Sequence, residues 1–124
     1  MHEVSVMASI IEAVLAELAK HDVEKVEEVD MVVGELTFLG QEQLEFAYSI
    51  LTQTNILKGS ELVISTEKVK VLCSKCGYEG GVDYIDRGMD HFAIPNLSCP
   101  RCGGPVELVK GKSCSVTSLK VVER

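Results

Sequence analysis

Cys73-Ser74-Lys75-Cys76-Gly77 and Cys99-Pro100-Arg101-Cys102-Gly103, with 22 residues between Cys76 and Cys99, are the segments on which the reading of this 124-residue chain turns. Two residues between cysteines let both sulfurs of a pair turn toward one point, and two such pairs supply four soft ligands for a closed tetrahedral site. The glycine after each pair suits a turn with positive φ, where backbone N–H groups point at the sulfurs. A lone CxxC carries little information. The doubled pattern CxxCG…CPxCG is specific for a metal. An insert of about forty residues has too small a core to fold alone, so metal binding supplies the missing free energy. That favours structural zinc held by Cys73, Cys76, Cys99 and Cys102.

Other uses of the same spacing weigh less. Iron of the rubredoxin type resembles both knuckles, but the insert offers only Tyr78, Tyr84 and Phe92 as aromatic shielding. Neither CxxC follows a βαβ pattern or opens an evident helix, as a redox dithiol would. Nucleic-acid binding is disfavoured by a net charge of −7 and by the lack of a basic–aromatic cluster. Four thiolates and one Zn²⁺ would shift that charge by a further −2. Basic protein surfaces or cations are the expected partners. The fifth cysteine, Cys114, reads as a small apolar strand residue.

Outward from the knuckles, the chain alternates in period. Val4, Met7, Ile11, Val14 and Leu18 mark a helix over the first twenty residues, starting at residue three or four. Val26 to Phe38 reads as a strand, Gln41 to Leu57 as a second helix stopped at Lys58-Gly59, and Leu62 to Leu72 as a strand feeding the first knuckle. Ser113 to Val122 is a last strand that returns to the first sheet. The fold expected is α+β, with two helices packed on a small mixed or antiparallel sheet and an inserted four-cysteine, zinc-ribbon-like domain. The domains expected are 1–70 plus 112–124, binding nickel as argued below, and 71–111, binding zinc. The N-terminal apolar stretch is broken by Glu12 and Glu17 and lacks a basic flank, and no window suits a membrane span. Cysteines in metal spacing fit a reducing cytoplasm.

The start of the chain carries a second metal chemistry. The α-amine of Met1, the backbone nitrogen of His2 and its imidazole are joined by short chelate rings, and the Glu3 backbone nitrogen adds a fourth donor. Nearly planar nitrogen sets suit Ni(II) and Cu(II) better than zinc. The Glu3 carboxylate can support such a site from outside the ligand set. His91, in Asp90-His91-Phe92-Ala93-Ile94-Pro95, is a candidate additional ligand. No nucleophile–base pair, phosphate loop or carboxylate dyad is evident, so no enzyme is expected.

Met1-His2-Glu3 opening an amphipathic helix, Val33-Gly34-Glu35-Leu36 ending a strand, and the CxxC…CPxCG pair resemble the HypA family of hydrogenase and urease nickel metallochaperones. The resemblance spans the chain in order. It implies a non-enzymatic carrier of Ni²⁺ with structural Zn²⁺, and nickel ligands Met1, His2 and Glu3. It also implies a HypB-type GTPase and the large subunit of [NiFe]-hydrogenase as partners, with no nucleic acid or membrane involved. The alternative is a zinc-ribbon interaction or transcription accessory module that carries no transported metal.

Overall fold

The computed structural model describes residues 3–86 and 93–124. Among these residues two helices and eight strands follow in the order α1 (Glu3–Leu18), β1 (Val23–Gly34), a 3₁₀ turn (Glu35–Thr37), α2 (Gln41–Leu51), β2 (Glu61–Glu67), β3 (Lys70–Leu72), β4 (Glu79–Gly80), β5 (Tyr84–Asp86), β6 (Ala93–Pro95), β7 (Glu107–Lys110) and β8 (Cys114–Glu123). They form two compact units. One comprises Met1–Val33, Phe38–Thr66 and Cys114–Arg124; the other comprises Gly34–Thr37 and Glu67–Ser113.

In the first unit the sheet runs β2-β1-β8, with β1 and β8 antiparallel. Its core is Met7, Ile11, Val14 and Leu18 of α1, Val23, Val26, Val29, Met31 and Val33 of β1, Leu44, Ala47 and Tyr48 of α2, and Leu57. The helical stripes are those expected from spacing, except that Val4 is 56% exposed. The strand spacing needs more explanation. Val23, Val26 and Val29 are three residues apart, which strict alternation would place on opposite faces. The ladder breaks register between Val23 and Lys25 and between Val26 and Glu28. One unpaired residue at each break restores the inward face. A third break leaves Thr117 unpaired on β8, so Val116 and Leu119 both pack on the core.

Several boundaries differ from the sequence expectation. The first strand runs from Val23 to Gly34 rather than Val26 to Phe38, because Val23 pairs with Glu123 and residues 35–37 coil into a turn closed by Thr37 Oγ1 donating to Gly34 O at 2.7 Å. The second helix stops at Leu51 rather than Leu57. Thr52 and Asn55 side chains donate to the carbonyls of Tyr48 and Leu51, and Asn55 Oδ1 accepts the Leu57 N–H, drawing the chain into successive turns. Leu62 to Leu72 divides into β2 and β3, which lie in different sheets. Between them the Val69 N–H donates to Glu35 Oε1.

In the second unit the sheet order is β4-β3-β7, and β5 pairs with β6. Gly34 N–H donates to Ser113 O at 2.9 Å and Leu36 N–H to Gly111 O at 2.8 Å, so the entering and leaving segments run side by side. A Cβ on Gly34 would stand 2.5 Å from the backbone of Gly111. Gly34→Ala should therefore lower stability by roughly 1–3 kcal/mol through backbone overpacking, read as an earlier thermal unfolding midpoint; an unchanged midpoint would show that the approach is not tight.

Candidate metal centre

Each cysteine pair is folded by the same two backbone hydrogen bonds. Gly77 N–H donates to Cys73 O at 2.9 Å and Cys73 N–H to Tyr78 O at 2.8 Å; Gly103 N–H donates to Cys99 O at 2.8 Å and Cys99 N–H to Gly104 O at 3.0 Å. Gly77 (φ 80°) and Gly103 (φ 73°) take the left-handed conformation that closes each turn. β3 delivers the first knuckle, and the Ser98–Pro105 bridge brackets the second.

The knuckles face each other. Cys73 and Cys102 sulfurs are 3.6 Å apart, those of Cys76 and Cys99 are 3.5 Å apart, and all four lie within 4.8 Å of one another. A tetrahedron with metal–sulfur bonds of about 2.3 Å has edges of roughly 3.8 Å. No disulfide forms. Arg101 N–H points at Cys99 Sγ and Gly104 N–H at Cys102 Sγ, both at 3.4 Å. Cys73 and Cys99 are buried while Cys76 and Cys102 reach solvent.

Electrostatics explain why a cation belongs there. Backbone N–H groups of Cys76 and Lys75 hold the Cys73 thiol below its ordinary value against the cost of burial. At Cys99 burial pushes upward, but N–H groups of Cys102 and Arg101 and the sulfurs of Cys76 and Cys102 bring it down to about 6. Cys76 goes the other way: Tyr78 lowers it, yet the Cys99 sulfur, burial and the sulfurs of Cys73 and Cys102 push it up to about 11. Four thiolates at this spacing repel one another unless a positive charge sits between them. The donor set, its spacing and its N–H groups fit zinc. The described residues of the second unit offer little other support: their buried aliphatic side chains are Val69, Val71 and Pro95.

The remaining candidates fall differently. Met1, His2 and His91 lie outside the described residues. Glu3 opens α1, and its carboxylate accepts the Gly40 N–H at 3.0 Å. His21 sits exposed beside Glu17 at 3.7 Å. Cys114 is half-buried against the core of the first unit, and burial raises its thiol. Glu35, in the Val33-Gly34-Glu35-Leu36 segment, accepts from both the Val69 N–H and the Tyr84 hydroxyl, the latter at 2.7 Å. That bond pushes the Tyr84 phenol up to about 12. Glu35 is thereby a structural tie rather than a ligand.

A family model described as hydrogenase/urease nickel incorporation, metallochaperone, hypA matches residues 1–121. The chain belongs to the HypA family. A hydrogenase maturation factor HypA from Methanothermobacter thermautotrophicus is 37% identical over 125 residues, spanning 100% of this chain and 99% of that protein. Another, from Pyrococcus horikoshii, is 33% identical over 134 residues, spanning 98% and 96%. The solution structure of the Ni metallochaperone HypA from Helicobacter pylori covers 100% of both chains with a TM-score of 0.69 at 23% identity, a likeness of fold. Membership makes the chain a nickel-incorporation metallochaperone of hydrogenase maturation with a four-cysteine site that fits zinc. The α+β fold with two helices and an inserted cysteine unit agrees with that of this solved structure.

Replacing one sulfur should separate the units. Cys99→Ser is expected to drop zinc from one per chain to well below that by elemental analysis, and to collapse amide dispersion for residues 67–113 while leaving the α1/α2 core signals in place. Full zinc retention with unchanged spectra would contradict a structural role for the site.

Proposed function

We propose that this chain carries Ni(II) at its N-terminus, on the Met1 α-amine, the backbone nitrogen and imidazole of His2, and the backbone nitrogen of Glu3, with His91 as a further ligand. Cys73, Cys76, Cys99 and Cys102 hold zinc permanently. The nickel-bearing domain is 1–70 plus 112–124 and the zinc-bearing domain is 71–111. The carrier works in the cytoplasm, receives or shares nickel with a HypB-type GTPase, and passes it toward the large subunit of [NiFe]-hydrogenase. It does no chemistry of its own.

The observation that carries this reading is the family match over residues 1–121, which includes the Met1-His2-Glu3 start. Local structure supports it. Helix α1 begins at Glu3, so the Glu3 backbone N–H belongs to the first turn, where N–H groups have no intrahelical acceptor. A metal that displaces this proton breaks no helical hydrogen bond. The positive end of the helix dipole also favours the resulting anionic nitrogen. Two ionised backbone nitrogens balance the 2+ charge of nickel, so the loaded chelate adds no net charge to the helix end. Nitrogen ligands on a chain terminus leave the ion reachable by an acceptor.

Charge distribution accords with a protein partner. The first unit has five Lys and Arg against twelve Asp and Glu, whereas the second has seven of each. The whole excess of −7 therefore lies on the first unit, which carries the proposed Met1-His2-Glu3 site. Such a surface favours a cationic ion and a basic acceptor, and it repels nucleic acid and anionic lipid.

Nickel binding should be strongly pH-dependent. The imidazole and α-amine, with ordinary values of about 6.5 and 7.7–8.0, must lose protons to coordinate. Affinity therefore falls as pH drops, first through the α-amine value and then through the imidazole value of about 6.5, in addition to the two backbone protons released on binding. Isothermal titration of wild type and His2→Ala at pH 7.5 and 6.0 checks this. Wild type should weaken by at least about tenfold at the lower pH, and His2→Ala should lose specific binding at both; equal affinities for the two proteins would overturn the assignment. A His91→Ala protein that binds as wild type would remove His91 alone from the site.

A further inference from the structure

Helix α1 overhangs the edge of its own sheet. Two helices lying side by side need roughly 20 Å of width, whereas three strands about 4.8 Å apart supply roughly 14 Å. Here α1 packs on α2, and the order β2-β1-β8 leaves β8 at one edge, with no strand beyond it among the described residues. The shortfall is a groove of about 610 Å³ between α1 and β8, lined by Ser9, Ile10, Ala13 and Val14 from the helix and by Val116 and Leu119 from the strand. From Glu17 and Leu119 a second hollow of about 200 Å³ continues past His21 to Val121 and Glu123. Together they follow β8 from Ser115 to Glu123, almost its whole length.

The walls of the groove select what fits. Ser9 and Ala13 are small and exposed on the flank of α1, so the edge is not roofed over. Ile10, Val116 and Leu119 are partly buried and leave apolar surface for a further side chain. Paired with β1 alone, β8 turns the N–H and C=O of every second residue outward, and Thr117, left out of that ladder, lies among the lining residues. Such an edge accepts an extended chain, because a helix has already used its own backbone groups. It is also poorly defended. β8 has no proline, its charged residues are Lys120 and Glu123, and Lys120 is drawn to Glu28 at 3.4 Å.

Charge decides between occupants. The groove carries the carboxylates of Glu17 and Glu123, and the unit around it holds the chain's whole excess of −7. A second copy pairing edge to edge would bring two such units together against their mutual repulsion. A basic chain meets the opposite field. We propose that the free edge of β8 is a docking site for an extended, basic segment of a partner protein. The segment adds as a fourth strand, sets alternate apolar side chains under α1 between Ile10 and Leu119, and brings Lys or Arg to Glu17 and Glu123. Neither the four cysteines nor the nickel ligands proposed above take part.

The test uses the zinc-loaded, nickel-free full-length protein and a synthetic peptide of about nine residues, matched to the groove at ~3.4 Å per residue. The peptide alternates valine with threonine between terminal lysines; a counterpart ends in glutamates. By calorimetry the lysine peptide should bind at least about tenfold more tightly than the glutamate one, and added salt should narrow the gap. Its binding should slow amide exchange along β8, and N-methylation of alternate peptide nitrogens on one edge should abolish it. Ala13→Arg fills the groove from an exposed helical position, and should weaken the lysine peptide by at least about tenfold at an unchanged unfolding midpoint. Ser9→Arg, one turn earlier, repeats this test should Ala13→Arg fail to fold. Glu17→Lys should reverse the preference between the peptides. Failure of the lysine peptide to bind, equal binding of the two peptides, or wild-type binding by both arginine variants would each overturn the proposal. So would a wild-type dimer in sedimentation that Ala13→Arg dissociates, because the occupant would then be a second copy of the chain.

Discussion

The pairing of the first strand with the last is the constraint from which the rest of the chain's order follows. From Val23 opposite Glu123 to Val33 opposite Cys114, β1 and β8 close the chain on itself. Any segment between them must leave and return at neighbouring points. The hydrogen bonds from Gly34 to Ser113 and from Leu36 to Gly111 continue the same antiparallel course. The glycines at 34 and 111 are needed there because a Cβ on either would meet backbone at under 3 Å. Looping out the cysteine segment thus costs the first unit little. Its sheet and both helices pack around one apolar cluster without the insert.

The insert solves a different problem. Few of its side chains are buried, so hydrophobic burial alone does not offset the entropy of ordering nearly fifty residues. Two knuckles with the same hydrogen-bond pattern bring four sulfurs within 4.8 Å of one another, a spacing at which four thiolates repel unless a cation sits between them. The metal therefore acts as a fold determinant, and a closed four-sulfur shell leaves no position for exchange. A transferable ion needs an open site of other chemistry, and the site proposed at the chain start offers one in nitrogen donors.

Much of this was legible in the sequence because it is local. The CxxCG repeat names its own turns, and the stripes Met7-Ile11-Val14-Leu18 and Leu44-Ala47-Tyr48 repeat at the helical period. What escaped depends on partners distant along the chain. The ends of β1 are set by Glu123 and by the turn at Glu35–Thr37, and the three unpaired residues of the ladder break the simple alternation that a strand reading assumes. Helix α2 ends early because Thr52 and Asn55 compete for its carbonyls. Nothing in the residues around Glu35 announces the hydrogen bonds it takes from Val69 and Tyr84, and Glu3 reads in sequence as a support for a metal rather than as the cap of a second helix.

Two metals in two chemistries, one structural and one carried, form the centre of this account. The most direct measurement loads the protein with both ions, treats it with a mild nitrogen and carboxylate chelator at neutral pH, and follows zinc and nickel per chain by mass spectrometry under native conditions. The account predicts one zinc and one nickel at the start, prompt loss of nickel, and retention of zinc with the fold intact. Nickel and zinc leaving together, or nickel replacing zinc on the four sulfurs, would contradict it.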